Sequence, residues 1–117
     1  MDTINLLDNF EYNKNWLDTH KSMEFSEQYT WDTWYKHVSK ATHTENTHEK
    51  LHHTVMDQWA IEYWEDNNPQ SHKIHKISEQ QAMYWLKENY YHHWKHYWTN
   101  SDAEYWYTKL SEKLDIS

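Results

Sequence analysis

Apolar residues recur along this chain at intervals of three and four, the spacing that keeps side chains on one face of an α-helix. Leu6, Phe10 and Leu17 form a first stripe, with Ile4 and Leu7 beside it and Asp2 or Thr3 at its start as candidate caps. Ser26 precedes a second stripe of Trp31, Trp34, Tyr35, Val38 and Thr42. The third runs through His52, Val55, Met56, Trp59, Ala60 and Tyr63. The fourth opens on Ser78-Glu79-Gln80-Gln81, a capping-box pattern, and continues through Ala82, Trp85, Leu86, Tyr90, His93, Trp94 and Tyr97. The fifth opens at Asn100-Ser101-Asp102 and carries Ala103, Trp106, Tyr107, Leu110 and Leu114.

The one clear break is DNNPQS, residues 66–71, where Asn-Pro with flanking Asp, Asn and Ser is turn chemistry. In ATHTENTHE, residues 41–49, the Thr and Asn side chains compete for backbone groups and favour a turn over one continuous helix. Trp, Tyr and Thr are also strand formers. Tight hairpin turns, however, draw on Gly or Asn-Gly, and the chain has no Gly and a single Pro. The pattern therefore predicts an all-α fold, an antiparallel bundle of four to five helices forming one domain over residues 1–117.

Composition alters what that bundle would contain. Nine Trp, ten Tyr and two Phe outnumber the Ile, Leu, Val and Met residues together, so the core is expected to be aromatic-rich. Tyr and Trp carry polar tips that need partners when buried, which favours rings lying half in and half out. An average chain of this length would hold about 8 glycines. The absence of Gly removes the phosphate-binding loop, the dinucleotide fingerprint, the calcium-loop motif and the nucleophile elbow. The absence of Cys removes disulfides, thiolate metal sites and a Cys nucleophile. With no Arg, there is no bidentate clamp for carboxylate or phosphate.

The formal charge of −8 makes nucleic acid a poor partner and a basic protein a better one. The apolar runs are only a few residues long, which predicts no membrane span and no signal-peptide core. A cytoplasmic location is the corresponding expectation, in the host if the chain is viral.

The most specific motif is His48-Glu49-Lys50-Leu51-His52, the H-E-x-x-H spacing of a helical zinc site with Glu49 as general base. It is weak here, because eleven His residues make the spacing easy to meet and no third-ligand signature follows. Helix topology offers a second route to a metal. If the third and fourth helices turn back near residue 72, His48 comes level with His96 and His52 with His92. His93 lies beside them, a turn near 44 or 45 would add His37, and a turn near 100 would bring Glu104 to His96. Such a cluster suits Zn²⁺, Cu²⁺ or Ni²⁺, or a bis-His haem. Convergent imidazoles would also resist protonation. The bland reading is that these are solvated or satisfied core histidines. The carboxylates Glu24, Glu27, Glu62, Glu65 and Asp66 read likewise as a solvated face.

The surplus of Trp and Tyr points to a different function. These residues dominate binding hot spots, and one small core has little room for so many. The leading expectation is a non-catalytic, acidic helical protein that binds a protein partner through exposed rings, with Trp16, Trp31, Trp64 and Trp98 as contact residues. A small viral or mobile-element inhibitor or assembly component would fit, and the rings could equally join copies of the chain. The alternatives are the metal or haem binder and an engineered scaffold without a native function.

Overall fold

Strand-forming residues prevail through the middle of the chain. The computed structural model describes residues 11–12 and 14–115. It is sheet-rich, with three helices among the described residues, which overturns the all-α bundle. After β1 (Glu11–Tyr12) come α1 (Lys14–His20), β2 (Lys21–Ser26), β3 (Tyr29–Thr33) and β4 (Lys36–Ser39). Next are β5 (Thr47–Thr54), β6 (Trp59–Glu65) and β7 (Asn68–Ile77). The chain then forms α2 (Glu79–Tyr90), β8 (Tyr91–His92), β9 (Tyr97–Trp98) and α3 (Ser101–Leu114).

The main sheet has the order β1-β7-β6-β5-β2 and is antiparallel throughout. Its centre is the β5–β6–β7 meander. The hairpins β3–β4 and β8–β9 form two small sheets apart from it. Register puts Phe25 beside Leu51 and Leu51 beside Ile61, so these three side chains share a face. That face packs on Met83, Trp85 and Leu86 of α2 and on Ala103 and Leu110 of α3. The opposite face carries Ala60 and Ile74, which Leu17 of α1 covers.

The helical spacing misled for two physical reasons. The first is that β5 is covered on both sides. Leu51 and His53 face α2 and α3, His52 and Thr54 face the other way, and all four are buried. A strand buried on both faces loses the alternation that would betray it. The second is that glycine was not required for the turns. The left-handed positions are filled by His43 (φ 63°), Asp57 (φ 59°), Asn67 (φ 60°) and His96 (φ 57°). Asp, Asn and His visit that region several times more readily than other non-glycine residues.

The second expected helix is therefore the β3–β4 hairpin, with Trp34 and Tyr35 as its two-residue turn. The third is β5 and β6, reversing at Asp57. Of the first, Ile4, Leu6, Leu7, Phe10 and the caps Asp2 and Thr3 lie outside the described residues, and Leu17 is buried in the seven-residue α1. The fourth begins at the capping box, where the Ser78 hydroxyl accepts from Gln81 N–H at 3.1 Å and the Gln81 side chain accepts from Ser78 N–H at 2.9 Å. It stops at Tyr90 instead of running on to Tyr97. The fifth is α3, capped by the Asn100 side chain, which accepts from Ala103 N–H at 2.9 Å.

Candidate functional site

Most of the exposed aromatic residues among those described lie on the two small hairpins, the others being Tyr84 on α2 and Tyr105 on α3. Tyr29, Thr30, Trp31, Asp32 and Thr33 are all exposed along β3, a strand with no covered face. Across the ladder, His37 lies against both Tyr29 (5.1 Å between ring centres) and Trp31 (4.7 Å). At the turn, Trp34 is 95% exposed and Tyr35 78%. In the second hairpin Trp94 is 91% exposed, and Tyr97 stacks on His92 at 5.3 Å. The two hairpins flank one groove, with Thr30, Lys40 and His43 on one wall and His92, His93 and Trp94 on the other.

Both hairpins are tied to the body at their bases. The first rests on Glu27, buried at the β2–β3 junction. Its Oε1 accepts from the Ser39 hydroxyl at 2.6 Å and from Glu49 N–H at 2.9 Å. Its Oε2 accepts from the Tyr29 hydroxyl at 2.7 Å and lies 2.6 Å from His48 Nδ1. One carboxylate thus joins β3, β4 and β5. His48 Nε2 reaches Asp66 at 2.9 Å, in the turn before β7. Burial opposes a charge on His48, but Asp66 and Glu27 outweigh it and raise its pKa above the ordinary 6.5. The Tyr29 hydroxyl is pushed up to about 12, first by burial and then by donating to Glu27.

A second anchor is Asn89 of α2, itself buried. Its Oδ1 accepts from Gln28 N–H at 2.9 Å, and its Nδ2 donates to the Trp85 carbonyl at 2.9 Å. The Tyr90 hydroxyl donates to the Ser26 carbonyl nearby. The β8–β9 hairpin is held by Trp98, which packs on Tyr91 and Tyr107, and by Lys87, whose ammonium lies over those same two Tyr rings.

The chain matches no protein-family model, no curated protein and no solved structure.

The HEKLH segment is strand, and this ends its reading as a helical zinc motif. His48 and His52 do share a sheet face, but four residues of strand separate them by roughly 13 Å. Glu49 points to the other face, where its carboxylate accepts from the Trp85 indole N–H at 2.9 Å. Burial is the main cause of its raised pKa.

The level-matching of helices falls with the bundle. His52 lies in the middle of the main sheet, 2.9 Å from Glu62, whereas His92, His93 and His96 belong to the β8–β9 hairpin. His37 is in the other hairpin, and Glu104 is on the exposed side of α3. Among the described residues, no group of three or more His, Cys, Asp or Glu is placed to hold a metal ion. His48 also departs from the convergent-imidazole expectation, since its pKa goes up and not down.

Of the four expected contact residues, Trp31 is exposed. The other three are half-buried: Trp16 stacked on His20, Trp64 on His48, and Trp98 between two tyrosines. The residues that reasoning from the sequence missed are Trp34, Tyr35, Trp94 and Tyr97. The available signal was TWDTWYKHV, in which strand-forming Trp31 and Val38 lie on either side of Trp34-Tyr35 among polar residues. Of the carboxylates read as a solvated face, Glu24 and Asp66 are exposed, but Glu27 and Glu62 are not. Glu27 is buried, and Glu62 accepts from His52 and from His72 at 2.7 Å.

Proposed function

We infer that this is a non-catalytic protein that binds another protein through the rings of its two hairpins. The observation that carries this reading is that Trp34 and Trp94, both almost wholly in solvent, stand on adjacent hairpins, the first fixed at its base by buried polar groups and the second by the packing of Trp98 and Lys87 on Tyr91 and Tyr107. Single exposed rings are ordinary on protein surfaces. Trp31, Trp34, Tyr35, Trp94 and Tyr97 on two neighbouring elements are a concentration of the residue types that form hot spots. Holding them on short, anchored strands reduces the ordering cost that a partner must offset on binding.

The Glu27–His48–Asp66 chain supports presentation of the hairpin better than it supports chemistry. The neighbouring Ser39 is fully buried and its hydroxyl points at Glu27, so it offers no accessible nucleophile.

The reading is tested by selecting binders from a random peptide display library against the intact chain, then mapping them with Trp34→Ala and Trp94→Ala. Enriched peptides are expected to lose at least tenfold in affinity on both substitutions and less than twofold on Trp16→Ala. Peptides that map elsewhere, or a selection that enriches none, would contradict it.

A further inference from the structure

The hairpins do not share the charge of the molecule that carries them. Residues 28–43 hold Lys36 and Lys40 against the single carboxylate Asp32, and residues 91–98 hold Lys95 and no carboxylate. Together these two segments are formally +2, on a chain of −8. The same residues contribute five histidines, His37, His43, His92, His93 and His96. The groove between the hairpins is lined by Lys40, His43, His92 and His93, and Glu88 is its one carboxylate. All of these are hydrogen-bond donors or cations except Glu88 and an imidazole acceptor. The negative charge lies on the rest of the chain, where it disfavours an acidic partner over much of the remaining surface.

We propose that the groove takes an acidic peptide segment of the partner, its carboxylates meeting Lys40 in the groove and Lys95 beside Trp94, and its apolar side chains lying on Trp94 and, beyond the groove, on Trp34 at the tip of the first hairpin. This rests on the hairpins being the docking surface and adds the chemistry of what docks. The chain-wide charge, read alone, favours a basic partner. At contact, the charges within a Debye length of about 8 Å decide; the groove sets Lys40 and three histidines against Glu88, and the hairpins that flank it add Lys36 and Lys95 against Asp32. The groove is small, about 270 Å³, which fits a single extended strand of peptide and not a helix or a folded face. Lys has no planar fork for bidentate pairing, so the segment is recognised by point charge and ring contact.

The experiment uses the full chain and three labelled probes in fluorescence anisotropy: a twelve-residue Glu/Tyr peptide, its Lys/Tyr counterpart, and a thymidine dodecamer. Phosphatidylserine vesicles serve as a fourth probe, read by co-sedimentation. The Glu/Tyr peptide is expected to bind at least tenfold more tightly than the Lys/Tyr peptide. Its affinity should fall at least tenfold on Lys40→Glu with Lys95→Glu, fall again on Trp94→Ala, and change less than twofold on Lys73→Glu, an exposed site on β7. Equal or tighter binding of the Lys/Tyr peptide that is still lost on Trp34→Ala and Trp94→Ala would overturn the acidic segment and leave the hairpin surface standing. Binding of either peptide that ignores both Trp substitutions would overturn the surface as well. Tighter binding of the thymidine dodecamer or the vesicles than of the Glu/Tyr peptide, or no binding of any probe, would overturn the proposal. Circular dichroism and thermal melting of each variant separate lost binding from lost fold.

Discussion

Changing Glu27 to Gln should damage this fold far more than its conservative shape suggests. The side chain is 8% exposed, and its two oxygens face four donors: the Ser39 and Tyr29 hydroxyls, Glu49 N–H and His48 Nδ1. An amide of the same volume leaves one oxygen to accept and turns an NH₂ toward the other two donors. Two hydrogen bonds to a charged acceptor are lost, and two buried donors are left facing a third. Each such bond is worth about 1.5–3 kcal/mol; with partial relaxation the sum is about 3 kcal/mol, or about 12 °C in Tm for a domain of this size.

The loss should also depend on pH. The raised pKa of His48 means that its charge stabilises the fold fully below the ordinary 6.5. That contribution disappears as pH rises through the folded value, so Glu27→Gln should cost more at pH 6 than at pH 9. The assay is urea denaturation followed by Trp fluorescence at both pH values, with Glu45→Gln, an exposed carboxylate, as control. A loss under about 1 kcal/mol at pH 6, or one equal at the two pH values, would refute the picture of a four-donor carboxylate bound to a charged imidazole.

Glu62 is held at about 2, chiefly by donation from His52 and then from His72, against burial that would raise it. Its contribution is present above the ordinary carboxylate value and lost as pH falls from about 4.5 to 2; with screening of a partly exposed group it is roughly 1–2 kcal/mol. Glu62→Gln should therefore flatten the stability profile in that window, as measured by acid-dependent melting. Asn89→Ala removes both the acceptor for Gln28 N–H and the donor to the Trp85 carbonyl, and should cost about 2 kcal/mol. It should also speed amide hydrogen exchange in β3 and β4, and unchanged exchange there would count against Asn89 as an anchor. The amide I infrared band should show antiparallel sheet together with helix, and a spectrum of helix alone would contradict the architecture.

Part of this was legible in the sequence, and the reasons differ by element. The capping box at Ser78 and the cap at Asn100 mark their helices because the cap chemistry is local to a few consecutive residues. Of DNNPQS only Asp66-Asn67 is the turn, with Asn67 in the left-handed position, while Asn68 to Ser71 already belong to β7. The strands were hidden. Trp31, Trp34, Tyr35 and Val38 fit a helical stripe by spacing, yet Trp34 and Tyr35 are a two-residue turn with neither Gly nor Pro, and Trp31 and Val38 lie on the strands either side of it. The end of α2 at Tyr90 had no punctuation either, because Tyr91, His92, Tyr97 and Trp98 fit a helix face as readily as a short ladder. At the site, the surplus of rings was visible as composition, but which rings stay wet depends on hairpins that were read as helix. Glu27, His48 and Asp66 are twenty or so positions apart, and only the sheet register and the turn before β7 bring them together.

The central claim is that Trp34 and Trp94 are the rings a partner touches, and fluorine NMR of the chain labelled with 5-fluorotryptophan tests it most directly. Each of the nine resonances is assigned by a single Trp→Phe substitution, and a display-selected peptide is then titrated in. The Trp34 and Trp94 resonances are expected to move together and saturate at one peptide per chain, while that of Trp59, buried beneath the helices, stays in place. Motionless Trp34 and Trp94 resonances beside a shifting Trp16 or Trp64 would contradict the claim.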